Sequence, residues 1–175
     1  MLHSLHDPIG CARYAAHVSW TPDHAVSRLK EDGPRSVWLV QRPGQGARTA
    51  KFWAVSPWLL TKHMLGLSQP TCQARGARRL AGAGIPTPEV VGGPDIVSMH
   101  GRRVLQLELV YVPGDTVLDR LQRGDAEAAP ALDVARQVGA LVFRIADAGL
   151  FHRDLKASNI VIEETNSGPR AWVID

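Results

Sequence analysis

Eight residues near the carboxyl end, His152-Arg153-Asp154-Leu155-Lys156-Ala157-Ser158-Asn159, concentrate groups that can do chemistry together. A loop aspartate at 154 can take the proton of an attacking hydroxyl. An asparagine five residues later offers a hard oxygen to a divalent cation from the same loop. The stretch that follows reads as a hairpin. Ile160-Val161-Ile162 is a β-branched run, 163–169 is dense in turn residues, and Ala171-Trp172-Val173-Ile174 is a second apolar run that ends on Asp175. Pairing those strands returns Asp175 to the side of Asn159. Phosphoryl transfer needs such an arrangement, because the protein contributes position and charge rather than covalent chemistry.

The segment resembles the catalytic loop and metal-binding aspartate of the protein-kinase-like superfamily. The resemblance implies that Asp154 is the base, that His152 and Arg153 brace the loop, and that Lys156 neutralises the transferring phosphate. It implies that Asn159 and Asp175 hold Mg2+, with ATP as phosphoryl donor. It also implies an α+β fold: an antiparallel five-stranded N-lobe with one helix, followed by the first part of a helical C-lobe. Taken singly, Asp154 and Lys156 also read as a solvated charged turn, and Asn159 as a turn or helix cap.

Stepping along the chain, residues 1–24 read as an irregular leader, 25–112 as the N-lobe and 113–175 as an incomplete C-lobe with the catalytic loop. Strands are expected at 25–30, 36–41 and 48–55, joined by turns at 31–35 and 42–46. Gly33, Arg35 and Ser36 lie in the turn between the first two strands, where the phosphate-covering loop of the superfamily runs. Backbone N–H groups and Arg35 would then face phosphates. An ordinary hairpin turn explains the same residues. Lys51, flanked by apolar residues, matches the strand lysine that pairs with the α- and β-phosphates. If buried, it needs an anionic partner.

A helix is expected over 70–81, stopped by Gly82 and Gly84. In the superfamily this helix carries a glutamate that orients the strand lysine. The matching position is Gln73, which can hydrogen-bond Lys51 but cannot neutralise it. Strands at 96–99 and 104–112 follow, and Val110 and Val112 resemble the linker that meets the adenine edge. Leu132, Ala135, Val138, Val142 and Ile145 recur at helical spacing and predict a helix with this stripe in the core.

Charge is unevenly spread. No acidic residue occurs over 33–88, which holds Arg35, Arg42, Arg48, Lys51, Lys62, Arg75, Arg78 and Arg79, although the whole chain is only +3. One face therefore suits an anion: nucleotide phosphates or an anionic membrane surface. A solvated basic face is the plain alternative. Nucleic acid is not expected, since no aromatic-rich basic motif is present. Cys11 and Cys72 show no pairing pattern, which fits a reducing cytosol. Residues 1–10 lack the apolar core of a signal peptide, and no apolar run is long enough to span a membrane. His3, His6, Asp7 and Cys11 read as an incidental cluster.

The Arg-Arg-Leu to Gly-Ile-Pro-Thr-Pro passage (78–88) and the Val173-Ile174-Asp175 ending are similar to bacterial lipopolysaccharide kinases, the Kdo/WaaP and InaA-like group. That resemblance implies a core-sugar hydroxyl as acceptor, in the cytoplasm at the inner face of the membrane. The wording of 152–159 is shared with Ser/Thr protein kinases, which implies a protein hydroxyl instead. A degenerate binding module is the third reading, suggested by Gln73. A full catalytic domain needs on the order of 250 residues, so the chain is expected to be a fragment of reduced activity.

Overall fold

The computed structural model describes residues 21–124 and 128–174, with backbone alone at 128–130. Asp175 and the cluster of His3, His6, Asp7 and Cys11 lie outside the described residues. A five-stranded antiparallel sheet is formed by β1 (Ala25–Asp32), β2 (Arg35–Val40), β3 (Arg48–Ala54), β4 (Val90–Met99) and β5 (Arg102–Val110), in the order β1-β2-β3-β5-β4. β1 lies at the edge, and its Arg28, Lys30, Glu31 and Asp32 blunt it against pairing with another chain.

β3 occupies the centre, so both of its edges are paired, and Ala50, Lys51, Phe52 and Trp53 are all buried. Lys51 pairs with Val37 on one side and Leu107 on the other, and cross-strand partners share a face. Lys51 and Trp53 therefore point the same way as Leu105, Leu107 and Leu109. Ala50 and Phe52 point oppositely, into a cluster with Trp38, Val40 and Val104.

Two helices follow β3, where the sequence predicts one. α1 (Pro57–Met64) was not visible to periodicity because it is short and mostly exposed. Its start is nonetheless well marked, with Ser56 Oγ accepting from Leu59 N–H at 3.1 Å and Pro57 in the first turn. α2 (Gln69–Gly82) begins the same way, with Ser68 capping Thr71 N–H and Pro70 in the first turn. Ala74, Ala77 and Leu80 recur at helical spacing and lie against Trp53, Leu105, Leu107 and Leu109. The small alanines let helix and sheet approach closely.

The exit from α2 joins the two halves of the molecule. Ile85 packs with Leu141, Ile145, Ile160, Ile162, Ala171 and Val173, a core beyond the five-stranded sheet. Five further elements surround that second core. β6 (Asp115–Thr116), β7 (Ile160–Thr165) and β8 (Gly168–Val173) form a small sheet, α3 (Val117–Arg123) follows β6, and α4 (Ala128–Asp147) packs on β8. The expected stripe on α4 is corrected. Val134, Val138, Leu141 and Ile145 face the core, whereas Leu132 and Val142 are exposed. Both sets fit a helical period, and only the partner strands decide which faces inward.

Gly114, in the link between the halves, has φ +132°, and a Cβ there would stand 2.1 Å from the Ile162 carbonyl oxygen. Backbone on both sides leaves no flexible group to yield. Gly114→Ala is expected to destabilise the protein by about 2–4 kcal/mol, measured as a lower denaturant midpoint with unchanged slope.

Candidate active site

Paired strands bring the two ends of the 159–174 segment together. Ile160 is opposite Val173, and the Ile174 N–H donates to the Asn159 carbonyl at 3.0 Å. The Asn159 side chain is buried, and its Nδ2 donates to the backbone carbonyl of Asp154 at 3.0 Å. A short 3-10 turn at Ala157–Asn159 supplies the bend. The loop is thus tied to the hairpin through backbone groups, which leaves the Asp154 carboxylate exposed. Lys156 Nζ lies 3.5 Å from Asp154 Oδ2, an exposed pair of little energetic weight that sets a cation beside the carboxylate.

From the other half, Lys51 arrives at the same place. It is buried, 5% exposed, and its Nζ donates to the Ile174 carbonyl at 3.3 Å. Three stretches far apart in sequence, around residues 51, 154–159 and 174, therefore meet at the end of β8. Val173 is pinned there as well. Its N–H donates to the Pro86 carbonyl at 3.0 Å and its carbonyl accepts from Thr87 Oγ1 at 2.9 Å. Thr87 was not singled out from sequence. The signal was present, since a threonine between two prolines offers the only polar side chain of a segment poor in N–H groups.

A cavity of about 600 Å³ separates α2 from the catalytic loop. Arg35, Gln73, Arg79, Arg153, Asp154 and Ile174 are among the residues lining it. Three arginines give it a positive wall suited to anions. Gln73 stands at the helix position expected from the sequence and faces this space, with no carboxylate on α2 to accompany it.

The other predicted site residues are placed differently. Gly33 and Pro34 form a tight two-residue turn, because Asp32 pairs directly with Arg35. No extended glycine loop exists there. Arg35 lies on the Lys51 face, its guanidinium 5.9 Å from the centre of the Trp53 ring. Ser36 pairs with Phe52, so its side chain is on the face away from Lys51 and its hydroxyl is buried in the sheet. Val110 pairs with Arg48, and Val112, in the link, is buried. Neither lines the cavity described above.

On the face away from Lys51, Glu108 is a buried carboxylate that the sequence reading passed over. Arg42 donates to it at 2.9 and 2.5 Å, Arg48 at 3.1 Å, and Gln106 Nε2 also binds it. The Arg42 hydrogen bonds, and then those of Arg48, hold its carboxyl below the usual carboxylate range against the opposing pull of burial. The alternation of β5 puts Gln106 and Glu108 on one face, which was the available signal.

Comparison with known proteins adds two likenesses. No family profile matches the chain. Over 103 residues it is 28% identical to the 3-deoxy-D-manno-octulosonic acid kinase of Mannheimia succiniciproducens, across 55% of this chain and 39% of that protein. The chain thus spans well under half the length of that relative. Among solved structures it is similar to the PknI kinase domain of Mycobacterium tuberculosis, with a TM-score of 0.50, 23% identity, and coverage of 86% of this chain and 58% of that one. With the strand order, the packed α2 and the loop-hairpin segment already described, that likeness shows an α+β fold of the protein-kinase type.

Proposed function

We propose that the chain carries the nucleotide and catalytic-loop portion of a kinase that transfers the γ-phosphoryl group of ATP to a hydroxyl, most specifically that of a lipopolysaccharide core sugar. One observation carries the reading: buried Lys51 of β3 reaches the Ile174 carbonyl, whose own N–H is bound to Asn159. A lysine is costly to bury. Its seat at the end of β8 sets the ammonium beside the 152–174 segment, where the phosphates of a bound nucleotide would meet it. The sugar acceptor is supported by the likeness to a sugar-acid kinase over half of this chain. A protein hydroxyl remains the second reading, favoured by Lys156 standing beside Asp154.

In this reading the acceptor oxygen attacks the γ-phosphorus in line while the bond to the departing ADP oxygen breaks. Asp154 takes the hydroxyl proton, and no covalent enzyme intermediate forms. Lys51 holds the α- and β-phosphates, and Arg153 and Lys156 offset charge around the transferred group. The residues present suit a hard cation. Commitment of Asn159 Nδ2 to the Asp154 carbonyl leaves its amide oxygen, approached by Ser158 Oγ at a long 3.5 Å, as an available ligand. Asn159 and Asp175 would hold Mg2+, which when bound supplies positive charge to the phosphates. In this reading a lipid-linked acceptor would be met in the cytoplasm at the inner face of the membrane; no helix among the described residues is long and apolar enough to cross one.

The test is thermal. At about 100 times its dissociation constant, Mg-ATP stabilises by roughly 2.7 kcal/mol, and the melting temperature should rise by about 5–10 °C for a chain of this size. Lys51→Met should cancel most of that rise. An unchanged melting temperature in the unsubstituted protein would falsify nucleotide use. Transfer from labelled ATP to a lipid-linked sugar, against transfer to a protein substrate, separates the two acceptors.

A further inference from the structure

We propose that the corner between α1 and α2 is a docking surface that seats this protein on an anionic lipid bilayer. Trp58, Met64, Leu65 and Leu67 are each 61–80% exposed there, although isolated apolar residues are the ordinary case on a surface. Trp58 on α1 and Leu65, the residue that caps its end, are two helical turns apart along the same side. Leu65 and Leu67 flank Gly66, whose φ of +69° makes the turn into α2. These side chains stand where two helices meet rather than inside a groove.

Cations border the apolar residues directly. Lys62 Nζ lies 4.9 Å from the centre of the Trp58 ring. Arg75 donates to the Gly66 carbonyl at 3.1 Å, which holds its guanidinium beside that turn. Arg78 and Arg79 continue along the exposed side of α2. Neither helix has an acidic residue, and none occurs anywhere over 33–88.

A bilayer accounts for both halves of this pattern. Trp and Leu side chains can sink to headgroup level, while Lys and Arg reach back to lipid phosphates along their aliphatic stems. Anionic lipids add attraction for each cation, and neither helix carries a carboxylate to oppose it. Arg79 also lines the cavity beside Asp154, so a lipid-linked acceptor held at this corner would lie next to the catalytic loop. This inference deepens the lipid-sugar reading above by naming the surface where such an acceptor would be met.

Co-sedimentation with vesicles tests it without any need for turnover. The protein should bind vesicles of phosphatidylethanolamine with phosphatidylglycerol at least ~10-fold more tightly than vesicles of phosphatidylcholine. Binding should weaken as salt rises from ~0.1 to ~1 M and the Debye length falls from about 10 to about 3 Å. Combined Trp58→Ser and Leu65→Ser should lower binding at least ~10-fold, with circular dichroism and melting temperature unchanged. Trp58→Phe should keep binding while removing the quenching of tryptophan emission by brominated phosphatidylglycerol. Equal binding to both vesicle types, absence of binding, or undiminished binding by the double variant would each overturn the assignment. So would full quenching in Trp58→Phe, or association with a soluble acidic protein and with no vesicle. Vesicle failure alongside a retained Mg-ATP response would overturn the docking surface alone.

Discussion

Asp154→Asn in the complete protein should lower turnover by about a thousandfold, while the affinity for Mg-ATP changes less than twofold. The first part follows from the role proposed for the carboxylate as acceptor of the hydroxyl proton. An amide keeps the size and loses the basicity. The second part follows from how the loop is held. Asn159 binds the backbone carbonyl of residue 154, not its side chain, and Asn159 in turn is tied to Ile174. The Asp154 carboxylate is exposed and, among the described residues, is paired with Lys156 alone at 3.5 Å, so its removal leaves loop and hairpin in place. Steady-state rates and nucleotide titration on the same preparation check both parts. A variant that turns over normally would remove Asp154 from the chemistry.

Glu108→Ala should cost about 2–4 kcal/mol of stability near neutral pH, read as a lower denaturant midpoint. Removing the carboxylate leaves Arg42 and Arg48 without the anion that both address, together with the Gln106 amide. The figure sits at the lower end for a broken buried pair, because the arginine side chains remain 34% and 24% exposed and water screens them in part. The pH dependence has a definite sign. A carboxyl held below its ordinary range in the folded state contributes fully above that range, and the contribution fades as pH falls through the depressed value. The gap between native protein and variant should therefore be widest near pH 7 and close on acidification. A gap that widened in acid would overturn this account of Glu108.

The hairpin of β7 and β8 was legible because its cues are local. β-branched residues, a dense turn and a second apolar run lie within sixteen residues of each other, and the observed pairing of Ile160 with Val173 needs little else. The N-lobe strands were legible for the same reason, though β4 extends back to Val90 through Gly92, Gly93 and Pro94, residues that ordinarily signal a break. That strand survives them by pairing irregularly with β5, with shifts in register around those positions. α1 escaped notice because eight residues with no buried side chain carry almost no periodic signal.

Residue chemistry and short-range pattern thus sufficed for the strands, the helix over α2 and the loop that follows α4, since turns, caps and alternation act over a few residues. They could not assign faces or meetings. Whether Ser36 looks toward Lys51 or away from it depends on strand register, and which side of α4 is buried depends on β8 and Ile85. The seat of Lys51 at the Ile174 carbonyl joins residues more than a hundred positions apart. Such contacts are fixed by the packing of two cores against each other, a long-range balance of burial and polar pairing that no local window contains.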